Sequence, residues 1–274
     1  MIYTKEQITS LNDHTFAFIE IEEKDNTLYI TLNRPEKRNA FHQPYLNEVA
    51  YALAYAHYTN SIWAVVFKAN GPVFCAGADL KAFAGMEVDM EGSTIPMPKD
   101  MIIIGNEFKG LHKPCIAQVH GDVYAGGFLL LGGCTHVVAA ENAKFGLPEV
   151  KRGIWPMQVM ASLIPIMNAR QMLDLCMRAK VLSAKEALNL GIATQVVDLS
   201  ELESAVETLV NEIKEQSPSA IRLGLQAYEE LASVPKEEEH KYLHKMLMQV
   251  LTSKDAKEGL LAFREKRKAV WTGE

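Results

Sequence analysis

Cysteine is scarce in this chain of 274 residues: Cys75, Cys115, Cys134 and Cys176, with no C-x-x-C pair among them. That spacing excludes a disulfide framework and a zinc site of ordinary ligand spacing, and the thiols are expected to be reduced and mostly buried. No apolar run approaches the roughly 18 residues that a membrane-spanning helix needs. The opening stretch MIYTKEQITSLNDHT is polar and of mixed charge, without the apolar centre of a signal peptide, so a cytoplasmic protein is expected. Positive charge is in deficit. Twenty-eight Lys and Arg against 34 Asp and Glu leave a formal charge of −6, which repels phosphate backbones and anionic membranes. Internal repeats and low-complexity tracts are missing as well. What remains, 48% apolar and 23% charged with 17 Gly and 11 Pro, describes an ordinary globular protein with length for a sizeable core.

Along the chain, FAFIEIEEKDNTLYITL (16–32) holds two apolar-alternating runs around a turn-like KDN, a hairpin signature. Helical spacing runs from about Gln43 to Tyr58. SIWAVVFKA (61–69), CIAQVHG and THVVAA read as buried strands, being short, apolar and rich in β-branched residues. The stretch GMEVDMEGSTIPMPK (85–99) has no period and reads as a mobile loop. Its methionines Met86, Met90 and Met97, with Met101, would suit an adaptable wall over an apolar ligand. KFGLPEVKRGIWP reads as a long irregular segment, residues 157–179 and 183–190 as helices, and ATQVVD as a last strand. From about Glu201 onward nearly everything reads as helix. Strands alternating with helices up to about residue 200 predict an α/β core.

Two bends rich in small residues stand out, Cys75-Ala76-Gly77-Ala78-Asp79-Leu80 and Asp122-Val123-Tyr124-Ala125-Gly126-Gly127-Phe128-Leu129. Each follows a strand and opens a helix, so unpaired backbone N–H groups face outward from the first turn. Small side chains let a ligand oxygen approach them. Two such groups together would suit a developing oxyanion, helped by the positive end of a helix dipole.

The two bends, together with LNRPEKRNAF (32–41), AKFGLPEVKRGIWP (143–156), LSAKEALNLGIATQVV (182–197) and TSKDAKEGLLAFREKRK (252–268), resemble the crotonase superfamily, the enoyl-CoA hydratase/isomerase family. The resemblance covers nearly the whole chain. It implies a spiral of ββα turns over residues 1–200, binding acyl-CoA, and a helical region over 201–274 for trimer assembly and CoA cover. It implies a homotrimer or hexamer acting on an acyl-CoA thioester with no metal or redox cofactor and no nucleic-acid partner. The family's oxyanion donors carry over onto the backbone N–H groups of Ala78 and Gly126. Ala40, Ala76, Asp79, Leu80, Leu129 and Trp155 fall along the implied substrate site, with Asp79 also suited to cap the helix it opens. Phe263 and Lys266 match positions that contact CoA from a neighbouring subunit.

Family hydratases hold two glutamates around the substrate double bond. The second matches Glu149. The first, by a gapless count back from Cys134, falls at Leu129, which can neither accept nor donate a proton. Hydration needs a water oriented at C3 and a proton delivered at C2, whereas moving a double bond needs one base in an apolar pocket. The pattern therefore resembles a single-acid enoyl-CoA isomerase. The alternatives are a hydratase in which Asp122, Tyr124 or His120 replaces the missing acid, and a homologue that binds acyl-CoA without turnover.

Overall fold

The computed structural model describes residues 1–86 and 92–274. Met90 lies outside the described residues. Among them, ten strands form two sheets: β1 (Ile19–Lys24), β2 (Thr27–Leu32), β3 (Ala64–Ala69), β4 (Val73–Cys75), β5 (Cys115–Val119), β6 (Asp122–Tyr124), β7 (His136–Ala140), β8 (Lys144–Gly146), β9 (Val181–Ser183) and β10 (Gln195–Val197). The large sheet runs β1-β2-β3-β5-β7-β10 and the small one β4-β6-β8-β9. The expected hairpin is β1–β2, and its turn is the left-handed pair Asp25 and Asn26 (φ 48° and 62°), residue types that tolerate such angles.

After the hairpin the chain advances in a spiral. β3, β5 and β7 enter the large sheet in parallel, and after each the chain bends at once into β4, β6 or β8 of the small sheet, also parallel. The C-terminal ends of β4, β6 and β8 therefore lie side by side, about 4.8 Å apart per strand. Both small-residue bends and the Glu149 segment leave the sheet along this edge. Ligands of open parallel sheets gather at such carboxyl ends.

The helix Gln43–Tyr58 is apolar around most of its circumference and is buried accordingly, with twelve of its residues inside the core. Glu48 within it accepts the N–H groups of Ala17, Phe18 and Ile19, which ties the start of β1 to the helix. Leu202, Val206 and Val210 of the helix Leu202–Lys214 cover the face of the large sheet made by Ala64, Val66, Ile116, Val138 and Ala140. The later helices, Pro218–Leu231, Glu239–Leu251 and Lys254–Glu265, share a small core of Leu223, Ala227 and Met246. They expose Leu243, Leu247, Met248, Leu251, Leu260 and Phe263. No helix among the described residues is long and apolar enough to cross a membrane.

The structure corrects the sequence reading in three places. The helix expected over 157–179 is two, Met157–Leu163 and Ala169–Arg178. Pro165 cannot continue the first, and Asn168 caps the second by accepting the Gln171 N–H. The stretch from Lys144, read as irregular, contains β8 and a 3-10 turn at Glu149–Arg152. The described part of the segment read as a mobile loop is anchored: Ile95 is buried, Thr94 bonds to Thr15, and the Pro96 carbonyl accepts the Tyr3 hydroxyl. All four cysteines are free thiols, with the sulfurs of Cys115 and Cys134 3.4 Å apart.

Candidate active site

The first corner begins where β4 ends. Gly77 takes φ +93°, a conformation that favours glycine, and a Cβ there would sit 2.7 Å from the Gly126 nitrogen and 2.8 Å from the Ala125 Cβ. The two corners thus meet backbone to backbone. From the other side, a Cβ on Gly126 would sit 3.4 Å from the Ala78 nitrogen and 2.6 Å from the tip of the Phe41 ring. Among the described residues the Ala78 N–H meets no acceptor. Gly126 is the second residue of the 3-10 turn Ala125–Gly127, so its N–H has no partner within the turn. Ala125 is held at φ +50°, a strained angle for a residue with a side chain.

Asp79 supports this corner. One carboxylate oxygen accepts the Lys81 N–H, capping the short helix Leu80–Phe83, and the other takes the Arg34 guanidinium at 2.8 Å. Burial works to raise the Asp79 pKa, but the hydrogen bonds from Arg34 and Lys81 outweigh it and hold the group below the ordinary carboxylate value. The same Arg34 nitrogen donates to the Ala40 carbonyl, and Asn39 is fixed through bonds to Arg34, Asn70 and Val73. Ala76 donates its N–H to Arg38.

Past β8, Glu149 opens its 3-10 turn after Pro148, and Gly153 (φ +74°) closes it. The Glu149 side chain is buried, and among the described residues Oε2 has no hydrogen-bond partner. Desolvation pushes its pKa up, opposed by its own backbone N–H and the charge of Arg152. A buried carboxylate with a raised pKa takes up and returns a proton at a higher pH than an exposed glutamate does.

The remaining candidates fall into place around these. Leu129 is 5% exposed, packed within the main core from the helix Phe128–Gly133. Trp155 packs half-buried on that core, and Leu80 is exposed beside the first corner. Phe263 is 87% exposed, so it packs on neither corner of its own chain, and Lys266 is the exposed left-handed cap of the last helix. The possible substitute acids are engaged elsewhere. Asp122 accepts the Lys144 N–H and the Tyr124 hydroxyl, lacing β6 to β8, while His120 bonds the Gly71 carbonyl at 2.7 Å.

The fold is shared with known proteins. The enoyl-CoA hydratase/isomerase family model matches residues 22–274. The chain belongs to that family. Curated relatives of the chain include a mevalonyl-coenzyme A hydratase of Aspergillus fumigatus, 31% identical over 248 residues, covering 89% of this chain and 90% of the relative. An enoyl-CoA hydratase of Mycobacterium tuberculosis is 33% identical over 252 residues, 90% and 93% of the two chains. The crystal structure of an enoyl-CoA hydratase from Mycobacterium tuberculosis superposes with a TM-score of 0.82 at 29% identity, covering 94% of this chain and 99% of that one. The names of these relatives are hydratase names. As a hydratase/isomerase family member, this chain carries a carboxylate at 149 and a leucine at 129.

The sequence reading passed over Arg34, Asn39 and the left-handed Ala125. The first two lie inside the RPEKRNAF stretch, and Asn39 is of a type that accepts the left-handed angle it adopts (φ 53°). Nothing local marks an arginine five residues upstream as its partner.

Proposed function

We propose that the chain isomerises enoyl-CoA thioesters, shifting a double bond from C3 to C2 with Glu149 as the single acid/base. The Glu149 carboxylate removes a proton from C2. The electron pair of that C–H bond moves into the thioester carbonyl, whose oxygen takes the negative charge against the N–H groups of Ala78 and Gly126. The carboxylic acid then returns the proton to C4, leaving the double bond between C2 and C3. Each oxyanion donor of this kind is worth about 10²–10³ in rate, and a positioned base about 10²–10⁴. Only a proton moves, so the scheme calls for no metal or redox cofactor. The observation that carries the reading is a buried carboxylate with an unpaired oxygen at 149, together with a core-packed leucine at 129. The exposed apolar residues of the last helices support assembly as a homotrimer or hexamer, in which Phe263 and Lys266 would reach a neighbour's CoA. This is a reading for a protein acting in aqueous solution, in the cytoplasm.

The second reading is hydration of a 2-enoyl-CoA, favoured by the names of the relatives. It requires Glu149 to hold the water with little help, since Asp122 and His120 are already bonded. Incubation with 3-enoyl-CoA and 2-enoyl-CoA of several chain lengths separates the two. Conversion of the 3-enoyl substrate without 3-hydroxyacyl-CoA is the expected outcome, and rapid 3-hydroxyacyl-CoA formation from the 2-enoyl substrate rejects the isomerase. Tight thioester binding with no turnover of either would leave a binding protein.

A further inference from the structure

The peptide group is planar and trans, so the C=O and N–H of one unit point in opposite directions. That rule connects three hydrogen bonds around the first corner. Arg34 donates to the Ala40 carbonyl at 2.8 Å. The N–H of the same peptide unit, on Phe41, therefore points away from Arg34, and it donates to the Gly77 carbonyl at 2.9 Å. The N–H of the Gly77 unit belongs to Ala78 and points away from Phe41, with no acceptor of its own among the described residues. Guanidinium, two peptide units and the free Ala78 N–H thus form one head-to-tail chain. Asp79 closes it from the side, since its N–H donates to the Phe41 carbonyl at 2.8 Å and its carboxylate holds the guanidinium.

We propose that Arg34 is a positioning residue for the oxyanion site, aiming and polarising the Ala78 N–H through the Ala40–Phe41 and Gly77–Ala78 peptide units. Hydrogen bonds in series strengthen one another, by about 10–30% per bond, and here a charged donor, the guanidinium partly offset by the Asp79 carboxylate, stands at the head of the series. The location of the charge argues for this role over a purely stabilising one. The Arg34 side chain is 7% exposed and that of Asp79 13%, and a buried ion pair returns little net stability over a well-packed neutral pair. The four-residue helix needs only a neutral cap, which Asn would supply. What a neutral residue does not supply is a cation at the start of the relay.

The inference rests on the oxyanion reading above, and one spectroscopic measurement separates the two. A non-reactive acyl-CoA analogue carrying a ¹³C-labelled thioester carbonyl is bound to the full-length protein, and its carbonyl stretch is read by difference infrared spectroscopy. In the wild type the band shifts to lower frequency; no shift on binding overturns the oxyanion reading itself. In Arg34→Met the shift is expected to shrink, with kcat falling about tenfold and KM little changed, because the donor is weakened and not removed. Arg34→Lys, which keeps a charged donor for the Ala40 carbonyl, is expected to recover most of both. An Arg34→Met protein that folds, binds and shows the wild-type shift overturns the relay while leaving the oxyanion reading standing. If Arg34→Met does not fold, Arg34→Gln decides: it keeps a neutral donor, so a reduced shift supports the relay and a wild-type shift overturns it.

Discussion

On the donor side of the site, Gly77 and Gly126 meet backbone to backbone, and Arg34, Asp79 and Phe41 tie the first corner with bonds of 2.8 or 2.9 Å. On the acid side, Glu149 is buried and one of its oxygens is left without a partner among the described residues. The contrast follows from what each side does in the proposed reaction. Donors that meet a transient charge work best when they are already in place, because reorientation during the reaction costs part of their effect. A base works best near the pH of its surroundings, and a carboxylate reaches that range by losing water and hydrogen bonds. Over-determination serves the first task and deprivation the second.

The largest effect is expected from Glu149→Gln, which removes the proton carrier and little volume. Turnover of 3-enoyl-CoA should fall by about 10²–10⁴. Stability should move the other way. A folded-state pKa raised above the unfolded value favours the folded state only while the group is protonated, so that contribution is lost as pH rises from the ordinary glutamate range through the raised value. The variant should therefore melt higher than the wild type at pH 7, and the difference should vanish near pH 4. By the same shift, the acid limb of the wild-type kcat/KM profile should lie above the ordinary carboxylate range. Thermal melts at the two pH values and a pH–rate profile check all three; undiminished turnover would break the comparison at its acid side.

Gly77→Ala attacks the donor side. The new Cβ meets the Gly126 nitrogen at 2.7 Å from a backbone angle of +93°, so the corners must part. A loss of about 2–4 kcal/mol in denaturant titration is expected from the angle and the overlap together. In the protein that remains folded, kcat should drop by about 10²–10³, the worth of one misplaced donor. Wild-type turnover in this variant would mean that the two corners act independently.

The smallest effect sharpens the contrast. Tyr45 also has a buried polar atom with no partner among the described residues, its hydroxyl, in the core near Cys75 and Arg34, and burial pushes its pKa well up. It has no task in the reaction. Tyr45→Phe should leave turnover unchanged and stability equal or higher by up to about 1 kcal/mol, since an unsatisfied hydroxyl is removed with its shape kept. A loss of stability in urea titration would show that the hydroxyl has a partner after all.

How much of this could be read beforehand differs from element to element. The hairpin, the helix Gln43–Tyr58 and the strands β3, β5 and β7 carry enough residues for a period to show, and they lie where the pattern placed them. Strands β6, β8 and β9 have three residues each, too short for alternation to register. The small sheet was therefore invisible as a sheet, although both corners were seen. At the site, glycine and alanine marked the corners because sterics act locally. Arg34 bore no local mark, because its partner Asp79 is 45 residues away.

By itself, the sequence determined where the chain can turn sharply, which residues can move a proton, and that position 129 holds a leucine. Those are properties of single residues and their immediate neighbours. Tertiary structure alone decided that three segments from β4, β6 and β8 end side by side, that Glu149 loses its water, and that Arg34 stands at the head of two peptide units. Desolvation and hydrogen-bond partners are set by residues far apart in the chain, and no local pattern records which distant segments will meet.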